Sequence, residues 1–567
     1  MYYQKPVPIL ITCAWRATSI VTKFAGESVS ALNRYRKIFI TAKKTDALTR
    51  PPHLVNILTK KQIPFLLLWS ILFTLAYSQA PLFTSNQNQY FLHGLAKAGW
   101  GDLSVDWLAN TLDPTPVFSG LVFITYRLLA WPPVFYLYFG VLAGIYLFSL
   151  LGIIQQIFNT GQTRLSRGLF LTLFIGFNAA ALRFVLVRSL GANWAYLFDG
   201  GLAGQRLLGE VLQPSTFGVL LLLAINLFLR GKTLWSVLPL VLAATFHPTY
   251  LLSAGVLTAV FMGILLWEQR NIRQPLWLGL LALLGVLPIL YHALIVFSPT
   301  GPTLIAEAQR LLVEFRIPHH ALPAEWWDLT AAVKIGLMLI AIYVTHKTRL
   351  FYILLVPFLV ASLLTAAQIF TGNHVLALLF PWRISTVLMP LSLAVLVGAA
   401  LQWFCHRFAA FIQRHERALL NISLTAAILL ALAGAGIFIV NAQDRATSPD
   451  KKMIAHVVET FAPGQVYVIP LNLQNFRLET GAAVFVEFKS IPYKDEEVLE
   501  WYRRVRMAGR LYQATIATYG CATLEELYEE GVTHVVLPYD HAAKNCPTLQ
   551  RDHLDINYEV FTIIPPE

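Results

Sequence analysis

Residues 418–440 read ALLNISLTAAILLALAGAGIFIV, and residues 441–450 continue NAQDRATSPD. The first stretch carries no charge and is long enough to cross a bilayer core of about 30 Å as a helix rising about 1.5 Å per residue. The second opens a polar tail that runs to Glu567. An apolar span handing over to such a tail marks a membrane protein with one water-exposed domain at its C-terminal end. Upstream, Phe65–Tyr77, Leu276–Phe297 and Ile384–Leu401 repeat the apolar signature. Across the chain 56% of residues are hydrophobic, 13% are charged and mean hydropathy is +0.58. A water-soluble protein could not hide that much apolar surface, so the bilayer is its solvent.

Lys and Arg near the span ends set the orientation. Residues 1–62 hold eleven Lys and Arg against Glu27 and Asp46. That segment belongs in the cytoplasm, resting on anionic lipid, and it lacks a signal peptide's apolar core and cleavage site. Further basic connections lie at Arg164–Arg167, Arg230–Lys232, Arg270–Arg273, His346–Arg349 and His406–Arg417. All fall inside if eleven spans cross, near 63–80, 134–157, 169–189, 212–229, 234–249, 250–267, 276–297, 329–345, 350–370, 384–404 and 418–440. The N-terminus is then cytoplasmic and the C-terminus extracytoplasmic. Pro116–Ala130 is expected to lie along the outer surface, with Pro132 and Pro133 turning into the next span. The expected fold is mainly α: a polytopic helix bundle at 63–441 with a large first outer loop at 81–133, followed by an extracytoplasmic α/β domain at 442–567. The net charge of +12 reflects cytoplasmic anchoring, and no nucleic-acid partner is expected; the lipid bilayer is.

In the outer domain Val466–Ile469, Ala483–Phe488, His534–Leu537 and Val560–Ile564 read as strands. Lys494–Arg510 and Thr523–Glu530 read as helices, the second opening on a Thr523/Glu526 capping box and ending at Gly531. The domain carries 12 Lys and Arg against 18 Asp and Glu, so it is mildly acidic. Of the four cysteines, Cys13 and Cys405 fall on the cytoplasmic side. Cys521 and Cys546 fall outside, where an oxidising compartment permits either a disulfide or two ordinary small residues.

The first outer loop holds the densest polar stretch between spans. Asp102 and Asp106 are four residues apart and share a face if that stretch is helical. A carboxylate near Trp100 or Trp107 has the surroundings of a general base, whereas Asp102 also suits a helix cap and Asp113 the opening of an Asp-Pro turn. His319 and His320, with Glu314 and Glu325 nearby, lack ligand spacing. No metal or other cofactor is expected.

The polytopic core, the long acidic first outer loop with surface helices, and the outer α/β domain together resemble the GT-C superfamily of membrane glycosyltransferases. Its relatives include protein mannosyltransferases, oligosaccharyltransferases and aminoarabinose transferases. Asp106-Trp107-Leu108-Ala109, Asp113-Pro114-Thr115-Pro116, Gln213-Pro214-Ser215-Thr216-Phe217-Gly218, Phe246-His247-Pro248-Thr249 and Pro381-Trp382-Arg383 also resemble an uncharacterised bacterial membrane family, a domain of unknown function. The Trp-Trp-Asp-Tyr-Gly signature of oligosaccharyltransferases is absent, since Trp326-Trp327-Asp328 is followed by Leu329. The resemblance implies sugar transfer from a polyprenyl-phosphate-linked donor to an acceptor on the outer face of the plasma (inner) membrane. It also implies an acid to take the acceptor's proton, with Asp106 first and Asp102 in reserve. Arg383, His247 and Arg206 are the implied donor-phosphate ligands, and Glu210 and Gln213 the implied cavity lining. A transporter or lipid flippase and a non-catalytic scaffold are the other classes such a chain allows; the absence of an internal repeat speaks against transport.

Overall fold

The computed structural model describes residues 63–158 and 163–565, so the basic segment 1–62, with Cys13, lies outside the described residues. Six helical units have the length and apolarity of a crossing: Val134–Ile157, Pro248–Gln269, Arg273–Val296, Arg349–Thr371, His374–Arg407 and Glu416–Ala446. Arg164–Asn178 and Ala180–Leu190 qualify together, bent by 43°. Four shorter apolar helices, Ile63–Tyr77, Pro214–Leu229, Leu234–Phe246 and Leu329–Val344, fall at the remaining places where crossings are expected. The chain is a multi-pass membrane protein. Pro116–Leu129 is also helical; it buries Phe118, Ser119, Val122 and Thr125 and exposes Ile124, Leu128 and Leu129.

The helices sort by burial. In His374–Arg407, 83% of the apolar window is buried, whereas only 11% is in Arg273–Val296. The first unit therefore forms the bundle's core, and the second faces the surrounding apolar phase. Close packing at the periphery depends on Gly434. A Cβ there would stand 2.0 Å from the Leu75 carbonyl oxygen and 2.8 Å from that of Ala76, so glycine lets helix Glu416–Ala446 lie directly on the backbone of Ile63–Tyr77.

The C-terminal domain, the expected outer domain, is a mixed five-stranded sheet: β1 (Val466–Val468), β2 (Ala483–Val484), β3 (His534–Pro538), β4 (Leu549–Leu554) and β5 (Tyr558–Ile563), in the order β2-β1-β3-β5-β4. β1 pairs parallel to β2 and β3; β5 pairs antiparallel to β3 and β4. Side chains alternate across the sheet, as the two-residue strand period requires. Tyr467, Val536 and Val560 pack against Met453, Ile454 and Val457 of helix Lys451–Thr460. Val468, Val535 and Phe561 pack on the other side against Trp501 and Leu511 of helix Asp495–Gln513 and Leu524 of helix Ala517–Glu529.

Two expectations need correcting here. Thr523 does not open a helix; it lies inside Ala517–Glu529 and its hydroxyl donates back to the Tyr519 carbonyl at 2.9 Å. The strand expected at Ala483–Phe488 stops at Val484; the Phe485 N–H still donates to Tyr467 O at 2.8 Å, but by Phe488 the N–H has turned to Leu471 O at 3.0 Å, outside β1. The helix end at Gly531 does form, with Gly531 at φ 87°, its N–H donating to Tyr528 O at 2.9 Å and Val532 N–H to Leu527 O at 3.0 Å. That is the double closure of a Schellman motif. Cys521 and Cys546 are joined in a disulfide, while Cys405 is free and half-buried.

Gly434→Val should cost about 1–3 kcal/mol of stability through overpacking. Gly436→Val, where a Cβ meets nothing within 4 Å, should be close to neutral. Thermal unfolding of the two variants in detergent compares them directly.

Candidate functional site

Loop one meets the outer domain backbone to backbone. Gly101 and Gly481 stand at φ 55° and 75°, and a Cβ on Gly101 would lie 2.4 Å from the Gly481 carbonyl oxygen. The Asp102 N–H donates to that carbonyl at 2.8 Å, and Trp100 Nε1 donates to Leu478 O at 3.1 Å. Asp102 and Asp106 share no helix face; they flank a single 3₁₀ turn, Leu103–Val105. Asp106 is 0% exposed. Its Oδ2 accepts from Arg477 Nε at 2.8 Å and from the Val484 N–H at 2.9 Å, and its Oδ1 accepts from the Ala109 N–H at 3.1 Å. Arg477 is 2% exposed and continues to Glu487 Oε1 at 3.2 Å, an oxygen that also accepts from Ser490 Oγ. Asp102 Oδ2 accepts from the Gly464 N–H at 2.6 Å. The carboxylate expected to act as base therefore offers no face to a substrate hydroxyl. Both loop-one acids hold the outer domain in place.

Burial pushes the Glu487 carboxyl up, with Asp106 adding to the effect and Arg477 and Ser490 opposing it. One guanidinium thus serves two enclosed carboxyls, and burial raises the pKa of the second.

The same segment that carries Glu487 brings a cation to a cluster built from four other elements. Arg383 sits in the 3₁₀ turn Pro381–Ile384, which breaks the unit His374–Arg407 just after Phe380, a non-glycine residue at φ 48°. Strain of that kind gathers at functional sites. Arg383 Nη1 donates to Gln205 Oε1 at 3.3 Å, and its guanidinium carbon lies 4.8 Å from the Tyr250 ring centre. Its Nε and Nη2 are buried without a hydrogen-bond partner. Arg316 ends the π-helical turn Leu311–Arg316, donates from Nη2 to the Lys489 carbonyl oxygen, and leaves its buried Nε without a partner. Lys489 lies within electrostatic reach of Arg316 and Arg206, and burial together with those two charges holds its amine below the usual lysine range. His247 is 6% exposed, faces Tyr90 and Tyr250 edge-on, and has an unpartnered Nδ1. His320 bonds the Ala203 carbonyl oxygen through Nδ1 at 2.6 Å, so that nitrogen carries the proton; burial first and His319 next push its pKa down to about 3, leaving a neutral ring.

A cavity of about 240 Å³ opens beside this cluster, lined among others by Gln205, Arg206, His319, Glu325, Trp326 and Lys334. Arg206 lies on the Tyr196 ring, 3.5 Å from its centre, and the Tyr196 hydroxyl donates to Glu210. Lys334 is 7% exposed and donates to Gly201 O at 3.0 Å. Asp328 is used structurally, capping helix Leu329–Val344 through the Ala331 N–H and accepting from Asn193. Among the described residues the Glu325 carboxylate has no hydrogen-bond or ion-pair partner.

The structure thus brings Arg383, His247 and Arg206 into one region. Gln213, expected to line the cavity, accepts instead from Asn86 Nδ2 at 2.8 Å, and Glu210 buttresses Tyr196. Arg316, Lys489, Gln205 and Lys334 were not anticipated. Lys334 had a legible signal, a lone charge near the outer end of an apolar stretch; Arg316 and Lys489 had none, because only the tertiary fold brings their segments together. Among the described residues no group of three or more His, Cys, Asp or Glu is arranged for a metal ion, and the His319 and His320 rings lie 4.1 Å apart, tilted by 48°.

Fold and site together define a multi-pass membrane protein with a C-terminal α/β domain and a cation-lined cavity. Residues 449–508 match the family model of a domain of unknown function (DUF6798). Among solved structures the chain is similar to ArnT from Cupriavidus metallidurans bound to undecaprenyl phosphate, with 11% identity, a TM-score of 0.45, and coverage of 90% of this chain and 100% of that one. It is also similar to the Archaeoglobus fulgidus oligosaccharyltransferase in complex with Zn and sulfate, with 12% identity, a TM-score of 0.41, and coverage of 84% and 68%. No curated protein matches the chain.

Asp106→Asn should destabilise the docked outer domain by about 3–5 kcal/mol, the range for removing one partner of a buried ion pair. Glu487→Gln should cost less, since burial pushes the Glu487 carboxyl up and a neutral amide can stand in its place. A raised folded-state pKa means that the native protein binds the Glu487 proton more tightly than the unfolded chain does. Its contribution to stability is therefore lost as pH rises through the carboxylate range, and Glu487→Gln should flatten that dependence. Thermal unfolding of the three proteins between pH 4 and 8, taken as roughly the carboxylate-to-neutral range, measures both effects.

Proposed function

We propose that this protein is a membrane glycosyltransferase that moves a sugar from a polyprenyl-phosphate carrier to an acceptor at the extracytoplasmic face. The observation that supports this reading most is the set of buried, unpartnered nitrogens on Arg383 and Arg316. An unmet buried donor costs about 1–3 kcal/mol, more when charged, so these groups call for an anion. Arg316 and Arg206 lie within electrostatic reach of Lys489, and Arg383 and Lys489 within that of His320; such a set of cations suits phosphate oxygens. The carboxyl within reach of Arg316 and Lys489 is Glu487, which Arg477 already engages.

In such a transfer the acceptor oxygen attacks the anomeric carbon while the bond from that carbon to the phosphate oxygen breaks. The bonding pair leaves with the phosphate, where the cations stabilise the developing charge. The acceptor's proton needs a carboxylate with a free face. Glu325, unpaired at the cavity, meets that need, while Asp106 and Asp102 are tied to the outer domain. Basic inner connections and the Cys521–Cys546 disulfide support a cytoplasmic N-terminus and an outer domain in an oxidising compartment of a bacterial envelope.

Titration of the full chain in nanodiscs with a C55 polyprenyl phosphate tests the reading. Arg383→Ala should bind at least about tenfold more weakly than wild type, with Arg383→Lys between them, because lysine keeps the charge but loses the paired geometry. With a lipid-linked sugar as donor, the same order should appear in KM. Equal phosphate affinity in wild type and a folded Arg383→Ala would defeat the proposal.

A further inference from the structure

The 240 Å³ cavity has a charge pattern that the phosphate cluster does not account for. Lys334 projects from helix Leu329–Val344, is more than nine-tenths buried, and spends its ammonium on a single backbone carbonyl, that of Gly201. Among the described residues it has no carboxylate within ion-pair distance, and neither has Arg206, whose guanidinium rests on the face of Tyr196. A charge at the membrane end of an apolar helix is retained where it has work to do. Of the two acids lining the cavity, Asp328 is committed to a helix cap and to Asn193, which leaves Glu325 exposed at the rim. Asp199 is within electrostatic reach of Lys334 but is buried and accepts from the Tyr77 hydroxyl at 2.8 Å, so the interior holds two cations with no carboxylate in direct contact. Its wall adds the Trp326 indole, an apolar plate with a polar edge, and the loop Gly200–Arg206 adds backbone groups held by the Gly201 N–H to Gln205 O bond at 2.8 Å and the Leu202 N–H to Ser385 Oγ bond at 2.8 Å.

We infer that this cavity is a subsite for a sugar unit bearing an acidic group. The ring's apolar face lies against Trp326, its hydroxyls meet the Gly200–Arg206 loop, and its carboxylate is received by Lys334 and Arg206. The volume is below the roughly 300–1,000 Å³ of sites for drug-sized ligands, which suits one or two sugar rings rather than a chain. Gln205 joins this subsite to the phosphate cluster, since it lines the cavity and accepts from Arg383. The subsite's place in a reaction rests on the transferase reading; its binding of an acidic sugar is measured without it.

The experiment is saturation-transfer NMR on the full chain in nanodiscs with glucuronic acid, glucose and inorganic phosphate. Wild type should bind glucuronic acid at least about tenfold more tightly than glucose, as expected for one charged hydrogen-bonded pair. Lys334→Met and Arg206→Gln should each abolish that preference. Arg206 is only half-buried, so its variant keeps the test open if the buried Lys334→Met fails to fold. Equal binding of the two sugars, or an unchanged preference in a folded variant, would overturn the inference. So would displacement of glucuronic acid by inorganic phosphate at equal potency, which would assign the cations to phosphate alone. C55 polyprenyl phosphate titrated in the same samples separates the two proposals. Glucuronic acid binding without lipid binding sinks the transferase reading and leaves the subsite standing. Lipid binding without glucuronic acid binding does the reverse.

Discussion

A guanidinium held between two buried carboxyls, Asp106–Arg477–Glu487, is the constraint on which the outer half of this protein rests. Its three members come from loop one, from the short helix Phe476–Thr480 and from the segment after β2. A charge enclosed to this degree is tolerable only with its partners in place, so the interaction admits one arrangement of loop one on the outer domain. The surrounding contacts follow from that arrangement. Gly101 fits against Gly481, Glu497 receives the Leu112 N–H at 2.9 Å, and Gln89 donates to the Ile491 carbonyl at 3.3 Å. The segment 298–328 is fastened to the same domain, with Asp495 accepting from the Thr300 N–H at 2.7 Å and Phe315 set against Phe488 and Tyr502.

This architecture explains how cations can gather beside a carboxyl, Glu487, that Arg477 already engages. Arg383, Arg316, Lys489 and Arg206 come from four segments, and the three arginines are held by contacts that leave charge available: ring faces under Arg383, Arg206 and Arg316, and backbone or amide oxygens accepting from Arg383 and Arg316. Placing like charges together costs free energy that docking must offset. Proteins sustain such a cost where an anion is to be received.

Much of the fold was legible in the sequence, because the forces that set it are local or compositional. Apolar run length and basic connections placed Val134–Ile157, Arg349–Thr371 and Glu416–Ala446 within a few residues, and Gly531 announced a helix end because a left-handed residue is needed there. The misreadings share a cause. Thr523 has the chemistry of a cap, but helix Ala517–Glu529 begins six residues earlier, where Gly520 packs closely on Ala543. β4 reads LQRDHL and is mostly exposed, so as a polar edge strand it carries no hydrophobic alternation to find. The site was less legible. Arg383, His247 and Arg206 were legible through the resemblance, but nothing in the neighbourhood of Asp106 says that an arginine 371 residues later will enclose it.

The clamp and the cation cluster are linked through a very short piece of chain. Glu487 is bound by Arg477, Ser490 returns to Glu487, and between them Lys489 gives its carbonyl to Arg316 and its ammonium to the cluster. Releasing the outer domain would therefore remove one cation and free the side chain of another in a single step. Thermodynamic linkage makes that relation reciprocal: an anion that binds the assembled cluster must stabilise the docked domain by the same free energy that docking contributes to binding. Membrane domain and outer domain are in this sense two halves of one site, and the acid of loop one serves that site by joining them.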